Sequence, residues 1–98
     1  MIIVYQTQNA NTPAIQSAAT ALAANTKRNG WSVQNLGTNP LYVLLGTGAS
    51  TTVFHFVLKG GTANDDGLGG FMSQTAGTVF TGLISIAGTA PRYTVLEH

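Results

Sequence analysis

The chain has 98 residues, of which 44% are hydrophobic and only 7% are charged, and its formal net charge is +1. This length suits one domain with a modest core, so we expect a single domain over residues 1–98, with residues 1–24 as a possible arm or swapped strand. The basic residues form no stripe, which argues against a nucleic-acid surface, and no apolar run reaches the roughly 18–20 residues of a membrane span. The absence of cysteine excludes disulfides and thiolate metal sites.

Turn-forming residues recur about every eight to twelve positions, which is typical of all-β domains. We therefore predict a small antiparallel β-sandwich or jelly-roll-like barrel with an extended N-terminal strand or arm. The predicted strands, in chain order, are Ile2–Gln6, Trp31–Leu36, Leu41–Leu45, Thr51–Leu58, Phe71–Gln74, Thr78–Ile86 and Pro91–Leu96. The second and third of these flank the turn Gly37-Thr38-Asn39-Pro40, which predicts that they pair as a β-hairpin.

The segment Thr12–Asn25 carries conflicting signals. Thr12 is a good N-cap, Pro13 suits the first helical turn, and apolar residues follow at helical spacing. An alternating pattern in the same residues is weaker but also present. Propensity alone favours a short helix, and the residues by themselves leave both structures open.

Two of the predicted strands are apolar on both faces, which suggests that something covers the second face. These strands are Leu41–Leu45 and the run from Val53 to Leu58. Scattered exposed aliphatic residues are the alternative explanation. Because the chain has little charge to oppose association, we expect an assembled subunit rather than a monomer whose surface is polar but neutral.

An apolar N-terminal segment is the second candidate for contact with a partner. It could add a strand to the edge of a partner's sheet, or close the sheet of its own chain. The candidate assembly residues are Ile2, Ile3, Val4, Tyr5, Val53, His55 and Val57.

The titratable residues do not form a catalytic constellation, so we expect no enzyme activity, no catalytic residues and no cofactor. Two of the three carboxylates, Asp65 and Asp66, are adjacent in a glycine-flanked loop, and Glu97 is nearly terminal. His55 lies between two phenylalanines, where a packed or interfacial imidazole is expected rather than a general base. A protonated His55 at an interface would make assembly depend on pH.

The remaining polar motifs have structural explanations. The run Asn64–Gly67 invites a calcium site but lacks the spaced carboxylates of such loops, so we favour an ordinary turn and predict no metal site. We predict a core position for Trp31. Lys27 and Arg28 are expected to be a solvated edge that opposes unwanted strand pairing.

The chain also resembles head-surface and head-fibre proteins of tailed bacteriophages. The strings that carry the resemblance are Arg28, Trp31–Gly37, Asn39–Val43, Phe54–Lys59, Gly60–Gly67 and Ile84–Val95. In the proteins that it resembles, the residues before the basic position form an extended strand. The resemblance therefore favours a strand over a helix for Pro13–Asn25.

The resemblance further implies a capsid decoration, or cement, protein. Such proteins associate as homotrimers on the outer surface of the virion, where the major capsid protein is their partner, and they stiffen the shell. A head-fibre, tail or baseplate module is an alternative. A host-glycan-binding β-sandwich module is another, and it would use exposed Trp31, Tyr42 or Tyr93.

Overall fold

The computed structural model describes residues 18–75 and 77–98. Within these ranges the chain forms seven strands and no helix, and the strands pair antiparallel in two sheets. The strands are β1 (Ala18–Leu22), β2 (Trp31–Asn35), β3 (Leu41–Leu45), β4 (Phe56–Leu58), β5 (Phe71–Gln74), β6 (Ile84–Gly88) and β7 (Tyr93–Glu97). One sheet has the order β1-β6-β3-β4 and the other β5-β2-β7. This confirms the predicted all-β sandwich. The predicted strand Ile2–Gln6 and residues 1–17 of the possible arm 1–24 lie outside the described residues.

The core lies between the two sheets because alternate residues of their strands point inward. Trp31 is 1% exposed, which confirms its predicted core position. Each large apolar side chain buried in this way contributes about 1.5–3 kcal/mol to stability. The other large apolar side chains that are almost completely buried are Leu22, Val33, Leu41, Val43, Ile84, Ile86, Tyr93 and Val95.

Strands β2 and β3 do not pair with each other, so the predicted hairpin is wrong. β2 lies between β5 and β7, whereas β3 lies between β6 and β4. The turn after β2 instead carries the chain from one sheet to the other, and the loop 60–70 packs across it. The Gly61 N–H donates to the Gly37 carbonyl at 2.8 Å. A Cβ on Gly60 would lie 2.2 Å from the Thr38 carbonyl oxygen, so only glycine allows this close crossing.

Two further predicted strands are shorter than expected, whereas β5 and β7 form close to their predicted positions. In the segment Thr51–Leu58, only the last three residues form a strand, β4. The Ser50 hydroxyl accepts from the Val53 N–H and the Ser50 N–H donates to the Val53 carbonyl, both at 2.9 Å, which makes a turn there. In the segment Thr78–Ile86, the strand begins only at β6 because carbonyls before it bond to the Arg28 side chain.

Part of the ambiguous segment Thr12–Asn25 is a strand, β1, as the resemblance implied. β1 pairs with β6 along its length, with an irregularity between Thr20 and Leu22. Both Ala21 and Leu22 are buried. Tertiary pairing and burial therefore override the local helix propensity. Residues 12–17 lie outside the described part of the chain.

Arg28 is buried, so the prediction that it is a solvated edge residue is wrong. Its Nε donates to Glu97 Oε1 at 2.9 Å, and its side chain is 0% exposed. The terminal nitrogens donate to three backbone carbonyls, those of Ala23, Phe80 and Gly82, at 2.7–3.0 Å. The planar guanidinium can satisfy all four acceptors at once, which a lysine cannot. Arg28 thereby joins segments next to β1, β6 and β7.

We expect Arg28→Ala to lower the free energy of unfolding by about 3–5 kcal/mol. The substitution removes the cation beside the Glu97 carboxylate and the donors to three buried carbonyls. The exposed neighbour Lys27 provides the control, since Lys27→Ala should change the value by no more than about 0.5 kcal/mol. Urea denaturation followed by the fluorescence of Trp31 measures both, and equal effects of the two substitutions would contradict a structural role for Arg28.

Candidate assembly surface

Strands β3 and β4 place two side chains on the outer face of the four-stranded sheet. Leu41 and Val43 point into the core, so Tyr42 between them points outward. Val57 is directly opposite Tyr42 in the β3–β4 pair and is 48% exposed. Residues opposite each other in a sheet lie with their Cβ atoms about 5 Å apart, so the two side chains form one surface.

A turn adds two more apolar residues to this surface. Val53 is 52% exposed and Phe54 is 39% exposed. The rings of Phe54 and Tyr42 lie 5.1 Å apart between centroids, at an interplanar angle of 58°. Such tilted contacts are favourable between aromatic rings, so Phe54 is fixed against the sheet. We call the surface formed by Tyr42, Val53, Phe54 and Val57 the apolar patch.

His55 is anchored beside the apolar patch. Its backbone N–H donates to the Val43 carbonyl at 2.8 Å, and its Nδ1 accepts from the Leu45 N–H at 3.0 Å. The second bond requires an unprotonated Nδ1. The imidazole therefore helps to hold the end of the turn that carries Val53 and Phe54.

Three of the predicted assembly residues lie within the described part of the chain, and only one of them is in a strand. Val53, His55 and Val57 are all exposed, but only Val57 lies in a strand, because the predicted strand Thr51–Leu58 forms only over its last three residues. The predicted residues Ile2–Tyr5 lie outside the described residues. Phe54 and Tyr42 were missed as members of this surface. The Ser-Thr-Thr run before Val53 was the available signal, because such residues favour turns.

The patch has few charges around it. Lys59, just after β4, is exposed. β4 is an edge strand of only three residues. Short edge strands and nearby lysines oppose edge-to-edge pairing. Pairing of another strand along the edge of β4 is therefore disfavoured.

Two of the three aromatic residues considered for glycan binding are inaccessible. Trp31 is 1% exposed and Tyr93 is 0% exposed, since both point into the core. Trp31 also uses its indole N–H, which donates to Gln74 Oε1 at 3.0 Å. Tyr42 is half-buried and belongs to the apolar patch. Of the three residues, only Tyr42 is accessible to a glycan.

The acidic loop is organised by its own carboxylates. Asp66 accepts from the N–H groups of Thr62, Ala63 and Leu68 and from the Thr62 hydroxyl, all at 2.9 Å. Asp65 accepts from Arg92 Nε at 2.9 Å. Within the described ranges, no three His, Cys, Asp or Glu residues lie where they could hold a metal ion. The bonds to Asp66 close the loop as a turn, which confirms the turn predicted at Asn64–Gly67.

We expect the Asp66 carboxyl to titrate with a pKa of about 2, below its ordinary 3.8, because the backbone N–H groups of Leu68 and Ala63 stabilise the carboxylate. Its contribution to stability is then complete above pH 3.8 and is lost as the pH falls through about 2. Carboxyl ¹³C NMR measures the titration. Thr62→Val removes one donor and should raise this pKa, whereas Thr51→Val should leave it unchanged, and equal midpoints in both variants would contradict the assignment.

Among the described residues, no helix is long and apolar enough to cross a membrane. No model of a protein family, no curated protein sequence and no solved structure matches this chain.

Proposed function

We propose that this chain is a structural subunit of a tailed-phage virion, which decorates and stabilises the outside of the capsid as a homotrimer. The observation that carries the proposal is the apolar patch, which exposes Phe54 and Val57 on the outer face of the four-stranded sheet, with exposed Val53 next to Phe54 in the chain. The partners are other copies of the chain and the major capsid protein. The location on a capsid is supported by the sequence resemblance, and the tendency to associate is supported by the surface.

Burial of the patch supplies a moderate driving force for association. Complete burial of a valine or phenylalanine side chain is worth about 1.5–3 kcal/mol, and these side chains are already about half buried. Association costs at least about 4 kcal/mol in lost freedom of motion, so the patch alone supports only weak pairing. A subunit that also contacts a regular shell gains from multivalency, because each further contact is made at high effective concentration.

The symmetry of a trimer determines which surfaces meet at the interface. In a trimer each subunit contacts its neighbours through two different surfaces, so the patch of one subunit would face another surface of the next. Low charge removes most long-range repulsion between the subunits. The resulting contact should depend little on salt, since apolar burial is not screened by ions.

The stiffness of a packed β-sandwich also suits the proposed role of bracing the capsid. A protein that braces a shell must be stiff and must make many uncharged contacts. A sandwich with a closely packed core resists deformation because its interior has little free volume. A head-fibre, tail or baseplate module would need the same properties, so its position in the particle distinguishes these alternatives.

We expect the protein to form a trimer by light scattering, with little change in mass between low and high salt. Val57→Asp should weaken association at least about tenfold, because burial of an unpaired carboxylate is costly. Leu68, 60% exposed in the loop 60–70, provides the matched control, and Leu68→Asp should leave the mass unchanged. A wild-type protein that stays monomeric at high concentration would overturn the proposed assembly.

Sedimentation with purified capsids tests the location. Wild-type protein and Leu68→Asp should sediment with intact shells, and Val57→Asp should remain in solution. A trimer that ignores capsids but sediments with isolated fibres or tails would contradict the decoration role and favour the alternative module.

A further inference from the structure

The outer face of the three-stranded sheet carries a small grid of side chains set by its register. Gln34 on β2 is opposite Phe71 on β5 and Thr94 on β7, and Ser32 is opposite Ser73 and Leu96. The grid therefore has two transverse rows, Phe71-Gln34-Thr94 and Ser73-Ser32-Leu96. The rows span roughly 10 Å across the three strands and lie roughly 7 Å apart.

Side chains of different length make this face concave. Ser32 is short and lies in the middle of the second row, whereas Phe71 and Leu96 stand at opposite corners of the grid. The resulting depression has a volume of about 310 Å³, and its lining includes Ser32, Gln34, Phe71, Thr94 and Leu96. We call it the outer dish.

The polar groups of the outer dish have no hydrogen-bond partner among the described residues. The side chains of Ser32, Gln34 and Thr94 form no hydrogen bond within the part of the chain that the structure describes. They provide two hydroxyl groups and one amide that face outward. Together these groups can donate and accept several hydrogen bonds with a ligand.

The outer dish is also uncharged. None of the residues that line it is ionisable. Arg92 lies two residues before Thr94 and therefore on the same outward side of the chain. Its guanidinium pairs with Asp65, so this neighbour adds no net charge. A neutral site has nothing to compensate the desolvation of a phosphate or carboxylate, and it matches an uncharged ligand.

The exposed ring of Phe71 indicates that the ligand also has an apolar face. Phe71 is 64% exposed, and none of the described large apolar residues is more exposed. A flat ring beside free hydroxyl and amide groups suits a molecule with an apolar C–H face and a rim of hydroxyls. We propose that the outer dish binds a neutral saccharide, which stacks on Phe71 and hydrogen-bonds to Gln34, Ser32 and Thr94.

This site is independent of the proposed assembly function. The outer dish and the apolar patch lie on the outer faces of different sheets, so they point away from each other across the core. A subunit whose patch is buried against a neighbouring copy would therefore keep the dish on a different face. The presence of two exposed phenylalanines, Phe71 in the dish and Phe54 in the patch, allows each role to be tested separately.

NMR titration of the labelled protein with neutral oligosaccharides tests the proposal. The probes are trimers of glucose, of galactose, of mannose and of N-acetylglucosamine, with a sulfated trisaccharide as the charged comparison. We expect at least one neutral probe to shift the amide signals of Gln34, Phe71 and Thr94 saturably, and the sulfated probe to bind more weakly.

Matched variants locate the site. Phe71→Ala should reduce the affinity for the bound probe at least tenfold, and Phe54→Ala should leave it unchanged. By light scattering, Phe71→Ala should keep the mass of the wild-type protein. No saturable shift with any neutral probe, or equal affinity in Phe71→Ala, would overturn the proposal, and neither result would bear on trimer formation.

Discussion

The two sheets of this protein are held together by buried polar side chains at both ends of β2. Arg28, just before β2, bonds to Glu97 of β7 and to backbone carbonyls beside β1 and β6. Asn35, the last residue of β2, is 2% exposed, and its amide nitrogen donates to the Leu58 carbonyl of β4 at 3.0 Å. Between these anchors β2 contributes its apolar residues to the core. Burial of such groups is costly unless each is fully bonded, so this arrangement specifies one relative placement of the sheets.

The buried pair of Arg28 and Glu97 also removes two of the seven charged side chains from the surface. The chain has four basic and three acidic residues. Arg28 and Glu97 are paired inside, Arg92 bonds to Asp65, and Asp66 closes its own loop. Within the part of the chain that the structure describes, only Lys27 and Lys59 have no such role. Low charge in the composition thus becomes still lower charge on the surface, which weakens the repulsion that would keep copies of the chain apart.

The positions of strands could be predicted from the sequence far better than their partners. β2, β3, β5 and β7 lie close to their predicted positions because alternation and turn residues are local signals. The predicted pairing of β2 with β3 was wrong because several strands have similar sequence patterns and could each pair with β2. Contacts between residues far apart in the chain decide which strands pair. One of these is the approach of the loop 60–70, where a Cβ on Gly69 would lie 1.9 Å from the Asn35 carbonyl oxygen.

The burial of Arg28 was missed for the same reason, since its acceptors come from three separate parts of the chain. For the surface, the sequence predicted Val53, His55 and Val57 within one strand, but the turn at Ser50 leaves only Val57 in a strand.

The two proposed surfaces depend on the same buried amide. Asn35 bonds through its side chain to the carbonyls at the end of β4, which borders the apolar patch. Its backbone N–H donates to the Gly70 carbonyl, and Gly70 directly precedes β5, which carries Phe71 of the outer dish. Because few charges are available, the protein must distinguish its partners by shape and by hydrogen-bonding geometry. Both properties are set by strand register, so the interaction that fixes β4 and β5 against β2 also determines what each outer face can bind.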